Sequence, residues 1–162
     1  FSFFHWWLGC IAAGALIYVT ACETTSRQKE QLMIDHISTY AMDYPKSRTF
    51  YDAAMEALGY PIQMEMVTTW DEEFPERRTC AWGPDRPVFW LIETLFEPTP
   101  RHIALAAADR AGVDAFHTAV LGVSAPDHGA PGLRPIYHEN YYGAFALDPD
   151  GNNVEAVYQL PV

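Results

Sequence analysis

The chain has 162 residues, 49% of them hydrophobic and 14% aromatic, with a formal net charge of −11. This composition excludes a disordered or fibrous chain, and the length suits one compact domain with a core large enough to need no disulfide staples. An acidic chain without a basic stripe excludes nucleic acid and anionic membrane surfaces as partners. Three cysteines, Cys10, Cys22 and Cys80, fall in no metal-knuckle or C-x-x-C spacing, which points to a reducing compartment.

Residues 1–32 differ in character from the rest. "FSFFHWWLGCIAAGALIYVTAC" is apolar almost throughout and long enough to span a bilayer, and it gives way to the polar "ETTSRQKEQL". Three readings stand side by side. One is a signal-like leader, with "VTAC" ending at Cys22 like a lipoprotein cleavage box. One is a membrane anchor, for which Arg27 and Lys29 would leave the main domain in the cytosol. The third is misassigned upstream sequence, with Met33 opening "MIDHI" as the natural start. His5 in this leader carries no catalytic argument. The expected organisation is therefore a leader, 1–32, and one domain, 33–162, placed in the cytoplasm with a membrane tether through the leader left open.

The domain contains itself twice. "DHISTYAMDYPKSRTFYDAAMEALGY" (35–60) and "RHIALAAADRAGVDAFHTAVLGV" (101–123) align His36 with His102, Asp43 with Asp109 and Phe50 with Phe116, and both close on Leu-Gly. The short apolar runs 34–42 and 102–108 are predicted strands. Asp43 and Asp109 are predicted helix N-caps, since a short carboxylate accepts the orphan amides of the first turn, and Pro45 fits that turn. Phe50, Ala54 and Leu58 share one helical face, as do Val113, Phe116 and Val120. Gly59 and Gly122 are predicted left-handed stops. In module one, 33–98, strands follow in "PIQMEMVTTW", "TCAWG" and "RPVFWLIETLF", with "DEEFPERR" a solvated turn. In module two, 99–162, a Gly/Pro-rich loop at 124–135 precedes strands in "YYGAFALD" and "NNVEAVYQL". The loop is long enough to cover a site.

This order, with "MIDHI", "FYDAAMEALGY", "RHIALAAADRAGVDAFH" and "NYYGAFALDPDGNNVEAV", resembles the vicinal oxygen chelate superfamily, which includes glyoxalase I, extradiol dioxygenases and the fosfomycin and bleomycin resistance proteins. The resemblance implies an α+β fold, two βαβββ modules forming an incomplete barrel around a cupped cleft. It further implies metal ligands on the first strand of each module and the last strand of the second, positions held here by His36, His102 and Glu155. Two imidazoles and a carboxylate suit a divalent metal such as Fe, Mn, Zn or Ni. Strand alternation puts Ala104, Ala106 and Ala108 on the face of His102, leaving room for a bound molecule. The fourth ligand of glyoxalase I has no counterpart, because Trp90 aligns there and Glu93 would need a register shift of odd step.

The function implied is a metal-dependent enzyme of the glyoxalase or extradiol dioxygenase type, acting on a small oxygen-rich substrate. The alternative is a metal-free small-molecule binding module of the bleomycin-resistance kind. His138, Tyr141 and Tyr142, before the penultimate strand, are the candidate acid/base or substrate-binding residues. The alternative for Glu155 is an ion pair with Arg101 or Arg134. His128 reads as solvated, His117 as structural, and Trp70, Trp82 and Trp90 as core or pocket wall. A homodimer is compatible with two modules per chain.

Overall fold

The structure, a computed structural model, describes residues 34–161, so the three readings of the leader, and Cys10 and Cys22, lie outside the described residues. Among the described residues no helix is long and apolar enough to cross a membrane.

Module one runs β1 (Ile37–Ala41), α1 (Tyr44–Leu58), β2 (Ile62–Thr68), β3 (Arg77–Trp82) and β4 (Phe89–Glu93). Module two repeats it as β5 (His102–Ala106), α2 (Arg110–Gly122), β6 (Asp127–Leu133), β7 (Tyr142–Leu147) and β8 (Asn153–Tyr158). The two four-stranded sheets have orders β1-β4-β3-β2 and β5-β8-β7-β6. In each, the first and last strands of the module pair in parallel and the others antiparallel. The α+β architecture of paired βαβββ modules is the one expected from the repeat.

The predicted caps form. Asp43 Oδ1 accepts from the Lys46 amide at 3.2 Å and Asp109 Oδ1 from Gly112 at 2.8 Å. Gly59 ends α1 in the left-handed region at φ 77°. Gly122 does not: it is the last residue of α2, Val123 caps at φ −98°, and the positive φ of 67° falls on Ser124. The turn is held instead by the Ala125 amide donating to Val120 O at 3.1 Å.

A second correction concerns the loop expected at 124–135, most of which is strand β6. Its position at the sheet edge is the reason. An edge strand needs a ladder on one side only, so Pro131 is tolerated. The glycines absorb two register irregularities, one on each side of Gly129. Gly129 sits at φ 154°, and a Cβ there would lie 2.8 Å from the Phe145 ring.

The apolar face of each helix covers one face of its own sheet, and α1 packs on α2, so one core runs through both modules. Phe50, Tyr51, Ala54 and Met55 meet Val113, Phe116 and Val120 in it. Burial of each large side chain contributes about 1.5–3 kcal/mol. Between the modules lies a polar clamp made by the β7–β8 turn. Tyr51 Oη donates to Asp148 Oδ2 at 2.6 Å, Ser47 Oγ to Asp150 Oδ2 at 2.7 Å, and the Met42 amide to Asp150 Oδ1 at 3.0 Å.

Strand alternation leaves the opposite face of each sheet without a helix. On the first sheet this open face carries Ser38, Tyr40, Thr79, Trp90 and Ile92. On the second it carries His102, Ala104, Ala106, Phe145 and Glu155.

Candidate functional site

Glu155 lies in the middle of β8, next to Val154 and Ala156, which belong to the core. Its own side chain points the other way, onto the open face, yet the residue is only 1% exposed. A carboxylate so buried needs partners, and it has two. Tyr141 Oη donates to Oε1 at 2.6 Å, and His102 Nε2 stands 3.1 Å from Oε2. His102 comes from the neighbouring strand β5 and is half exposed, so the group opens to solvent on the imidazole side. Its Nδ1 lies 3.1 Å from Asn153 Nδ2, which shares its face.

Glycine makes the carboxylate's seat. A Cβ on Gly143 would lie 2.8 Å from Glu155 Oε1 and 3.3 Å from Tyr141 Cε1. A side chain at this position would occupy the volume in which Tyr141 and Glu155 meet. The row of Ala104 and Ala106 beside them keeps the floor shallow.

Burial, and then the adjoining Glu155 carboxylate, push the Tyr141 hydroxyl up to about 12. Unfolded tyrosine ionises near 10, so the stability that protonated Tyr141 supplies is intact below about pH 10. It is lost as the pH rises toward about 12. In a tyrosinate absorbance titration, Tyr141→Phe is expected to remove one ionisation from the high-pH phase. Loss of a transition near pH 10 instead would refute the hydrogen bond.

The other expected site residues are elsewhere. His36 precedes β1, is exposed, and holds its Nδ1 2.9 Å from Asp35 Oδ1. Tyr142 alternates with Tyr141 and so faces the helix, donating from Oη to Asp114 of α2 at 2.8 Å, with Arg110 over its ring. That placement removes it from the open face. His138 belongs to the exposed turn before β7, where its Nδ1 accepts from the Asn140 amide at 3.2 Å. His117 is buried on α2 against Asp127. Of the arginines weighed for Glu155, Arg134 binds the Ala130 carbonyl and lies over Phe145. The odd step to Glu93 does swap faces: Glu93 pairs with Arg78 on the helix side, while Trp90 is on the open face. Asn153 and Gly143 were not singled out from sequence. Asn153 sits two residues before Glu155, hence on its face, and a glycine inside a strand marks a close approach.

The spacing of His102 Nε2 and Glu155 Oε2 lets both reach one divalent ion at about 2.1 Å, so this pair fits a metal. It is two donors where a catalytic ion ordinarily has three from protein. Among the described residues no group of three or more His, Cys, Asp or Glu side chains is arranged to hold an ion.

No family model matches the chain, and no curated protein does. Solved structures do. A glyoxalase/bleomycin resistance protein from Albidiferax ferrireducens is 23% identical, with a TM-score of 0.59 over 80% of this chain and 100% of its own. A glyoxalase I variant from Zea mays is 19% identical, with a TM-score of 0.55 over 75% of this chain and 45% of its own. A glyoxalase/bleomycin resistance protein/dioxygenase superfamily member from Sphaerobacter thermophilus is 17% identical, with a TM-score of 0.52 over 78% of this chain and 96% of its own. The chain has the glyoxalase/bleomycin resistance/dioxygenase fold, that of the vicinal oxygen chelate superfamily.

Proposed function

We propose that the protein is a metal-dependent enzyme acting on a small, oxygen-bearing substrate at the open face of its second sheet. The observation that carries this reading is the buried Glu155 carboxylate, with one oxygen held by Tyr141 and the other beside an imidazole that reaches solvent. His102 and Glu155 are two ligands in this reading. The third, His36, comes from a second copy of the chain, because His36 stands at the equivalent place of the other module and its own sheet also has an uncovered face. A divalent ion bound there would supply Lewis-acid polarisation of a substrate oxygen. The chain's own residues do the rest. Tyr141 fixes the carboxylate, Glu155 sets negative charge under the site, and Ala104 and Ala106 leave the substrate room.

The second reading, a metal-free small-molecule binding module, is favoured by the pairing of two donors rather than three among the described residues. Metal content of the purified protein separates the two. The metalloenzyme reading expects near-stoichiometric metal after offering Fe(II), Mn(II), Zn(II) and Ni(II), and a loss of about tenfold or more in His102→Ala. It also expects a similar loss in His36→Ala, with a dimer by native mass spectrometry. Metal-free protein under all four offers would sink this reading in favour of the binding module.

A further inference from the structure

Helix α1 ends at a hollow on the helix side of the first sheet. It has a volume of about 540 Å³ and is lined by Asp52, Glu56 and Gly59 of α1 and its cap, and by Tyr60, Ile62 and Trp82. That volume is within the range of small-molecule sites, about 300–1,000 Å³. The hollow lies outside both open faces. Trp82 comes three residues after Thr79 on β3, so its side chain goes to the opposite face, where it packs on Tyr51 and Phe89.

The sequence builds the walls from the end of the helix. Gly59 turns the chain at φ 77°, and a Cβ there would meet nothing within 4 Å, so the mouth stays open. Tyr60 follows at once and is fixed by its hydroxyl, which donates to Ala106 O of module two at 2.9 Å. Ile62 opens the edge strand β2 opposite Trp82 and is 40% exposed. Trp82 itself is almost fully buried, and its Nε1 donates to Asp52 Oδ1 at 3.1 Å. A tyrosine ring and an isoleucine side by side suit a flat aromatic body.

Charge restricts what enters. Asp52 and Glu56 stand one turn apart on α1 and reach the same hollow. Asp52 is neutralised in place, because Arg48 Nε donates to its Oδ2 at 2.7 Å. The same guanidinium also serves Glu65, so one cation answers two carboxylates. Glu56 is exposed and has no ion pair among the described residues. No lysine or arginine lines the hollow, and the last turn of α1 carries no basic side chain. The negative end of the helix dipole therefore meets no protein cation there, and a ligand cation would supply the missing counter-charge.

We propose that this hollow binds an organic ammonium ion carried on an aromatic body, with the ammonium at Glu56 and the ring against Tyr60 and Ile62. The site is separate from the open face of the second sheet and does not rest on the metal-dependent reading above.

The test is calorimetric titration of the full chain, in chelator and at low salt, with 2-phenylethylammonium, the neutral 2-phenylethanol and the anionic 3-phenylpropionate. Saturable binding of the ammonium is expected, about tenfold tighter than that of the alcohol, with none for the anion. Raising the salt is expected to bring the ammonium toward the alcohol, since the charges are exposed. Glu56→Gln is expected to weaken the ammonium about threefold and leave the alcohol unchanged, with circular dichroism unaltered. Nuclear magnetic resonance of the indole N–H groups locates the ligand: the Trp82 signal, assigned with Trp82→Phe, is expected to shift on titration. Should Trp82→Phe not fold, Glu56→Gln still decides. Absence of saturable binding, equal affinity for ammonium and alcohol, or undiminished binding in Glu56→Gln would overturn the proposal. So would shifts confined to the Trp70 and Trp90 indoles, which would place the ligand on the open face of the first sheet instead.

Discussion

Asp148→Ala is expected to lower the free energy of unfolding by about 3–5 kcal/mol. Asp148 is 4% exposed, and both its oxygens accept two hydrogen bonds. Oδ2 takes the Tyr51 hydroxyl at 2.6 Å and Asn152 Nδ2 at 2.7 Å; Oδ1 takes the Asp150 amide at 3.0 Å and the Asn152 amide at 2.8 Å. Alanine strands the Tyr51 hydroxyl and the Asn152 amide and takes a partner from the part-buried Asp150 amide, while Asn152 Nδ2 keeps Thr39 Oγ1 at 3.4 Å; stranded buried donors cost more than the bonds themselves contributed. Tyr51→Phe is the control. It removes one donor and leaves the carboxylate three others, so about 1 kcal/mol is expected. Urea denaturation with an unchanged m-value measures both. Equal losses in the two variants would mean that water replaces the carboxylate and that the turn does not clamp the modules.

This clamp shows what the sequence made legible and what it hid. "DPDGN" is readable as a turn, because aspartate and glycine supply the local hydrogen bonds and the positive φ, here 82° at Gly151. Its partners are not readable, since Tyr51 is 97 residues away and Ser47 is 103 away from the residues they bind. The same division holds elsewhere. The caps at Asp43 and Asp109 and the stop at Gly59 follow from local chemistry, and they formed. The second stop failed: Gly122 stays helical and the positive φ falls on Ser124 two residues later, which nothing in the local composition singles out. Strand β6 was hidden by its glycines and Pro131, which deny a central strand but not an edge strand.

The site was legible in part for the same reason. Alternation within one strand is local, so the sequence put Glu155 opposite Val154 and Ala156, and His102 on the face of Ala104. The repeat then placed both on one sheet through the parallel pairing of β5 and β8. The repeat also makes His36 and His102 equivalent, but equivalence is a relation between modules and not a contact. The chain joins its modules through α1, α2 and the β7–β8 turn, while His102 is on a face without a helix and His36 stands before β1 begins. Nothing in the spacing of one strand encodes that arrangement. Tyr141 and Tyr142 show the limit at one residue: they are adjacent in sequence, and one holds Glu155 while the other holds Asp114.

On the proposed metal-dependent reading, Gly143→Ala is expected to weaken divalent-metal binding about 10–100-fold, the range found when a residue that orients a ligand is altered. A Cβ at this position would meet Glu155 Oε1 at 2.8 Å, inside any contact a carbon atom tolerates. Either the carboxylate turns, which takes Oε2 away from His102 Nε2, or the strand shifts. Tyr141→Phe separates orientation from volume. It deletes the 2.6 Å bond to Oε1 without adding an atom, so the carboxylate keeps its space and loses its hold. About a tenfold loss is expected. Chelator-competition titration with Zn(II) on wild type, both variants and Glu155→Gln gives the ordering: Glu155→Gln weakest, then Gly143→Ala, then Tyr141→Phe, then wild type. A Gly143→Ala protein that folds and binds metal as wild type does would show that the direction of the Glu155 carboxylate does not set the affinity. The buried charge would then be explained by its hydrogen bonds alone, and Tyr141 and His102 would be holding a structural carboxylate.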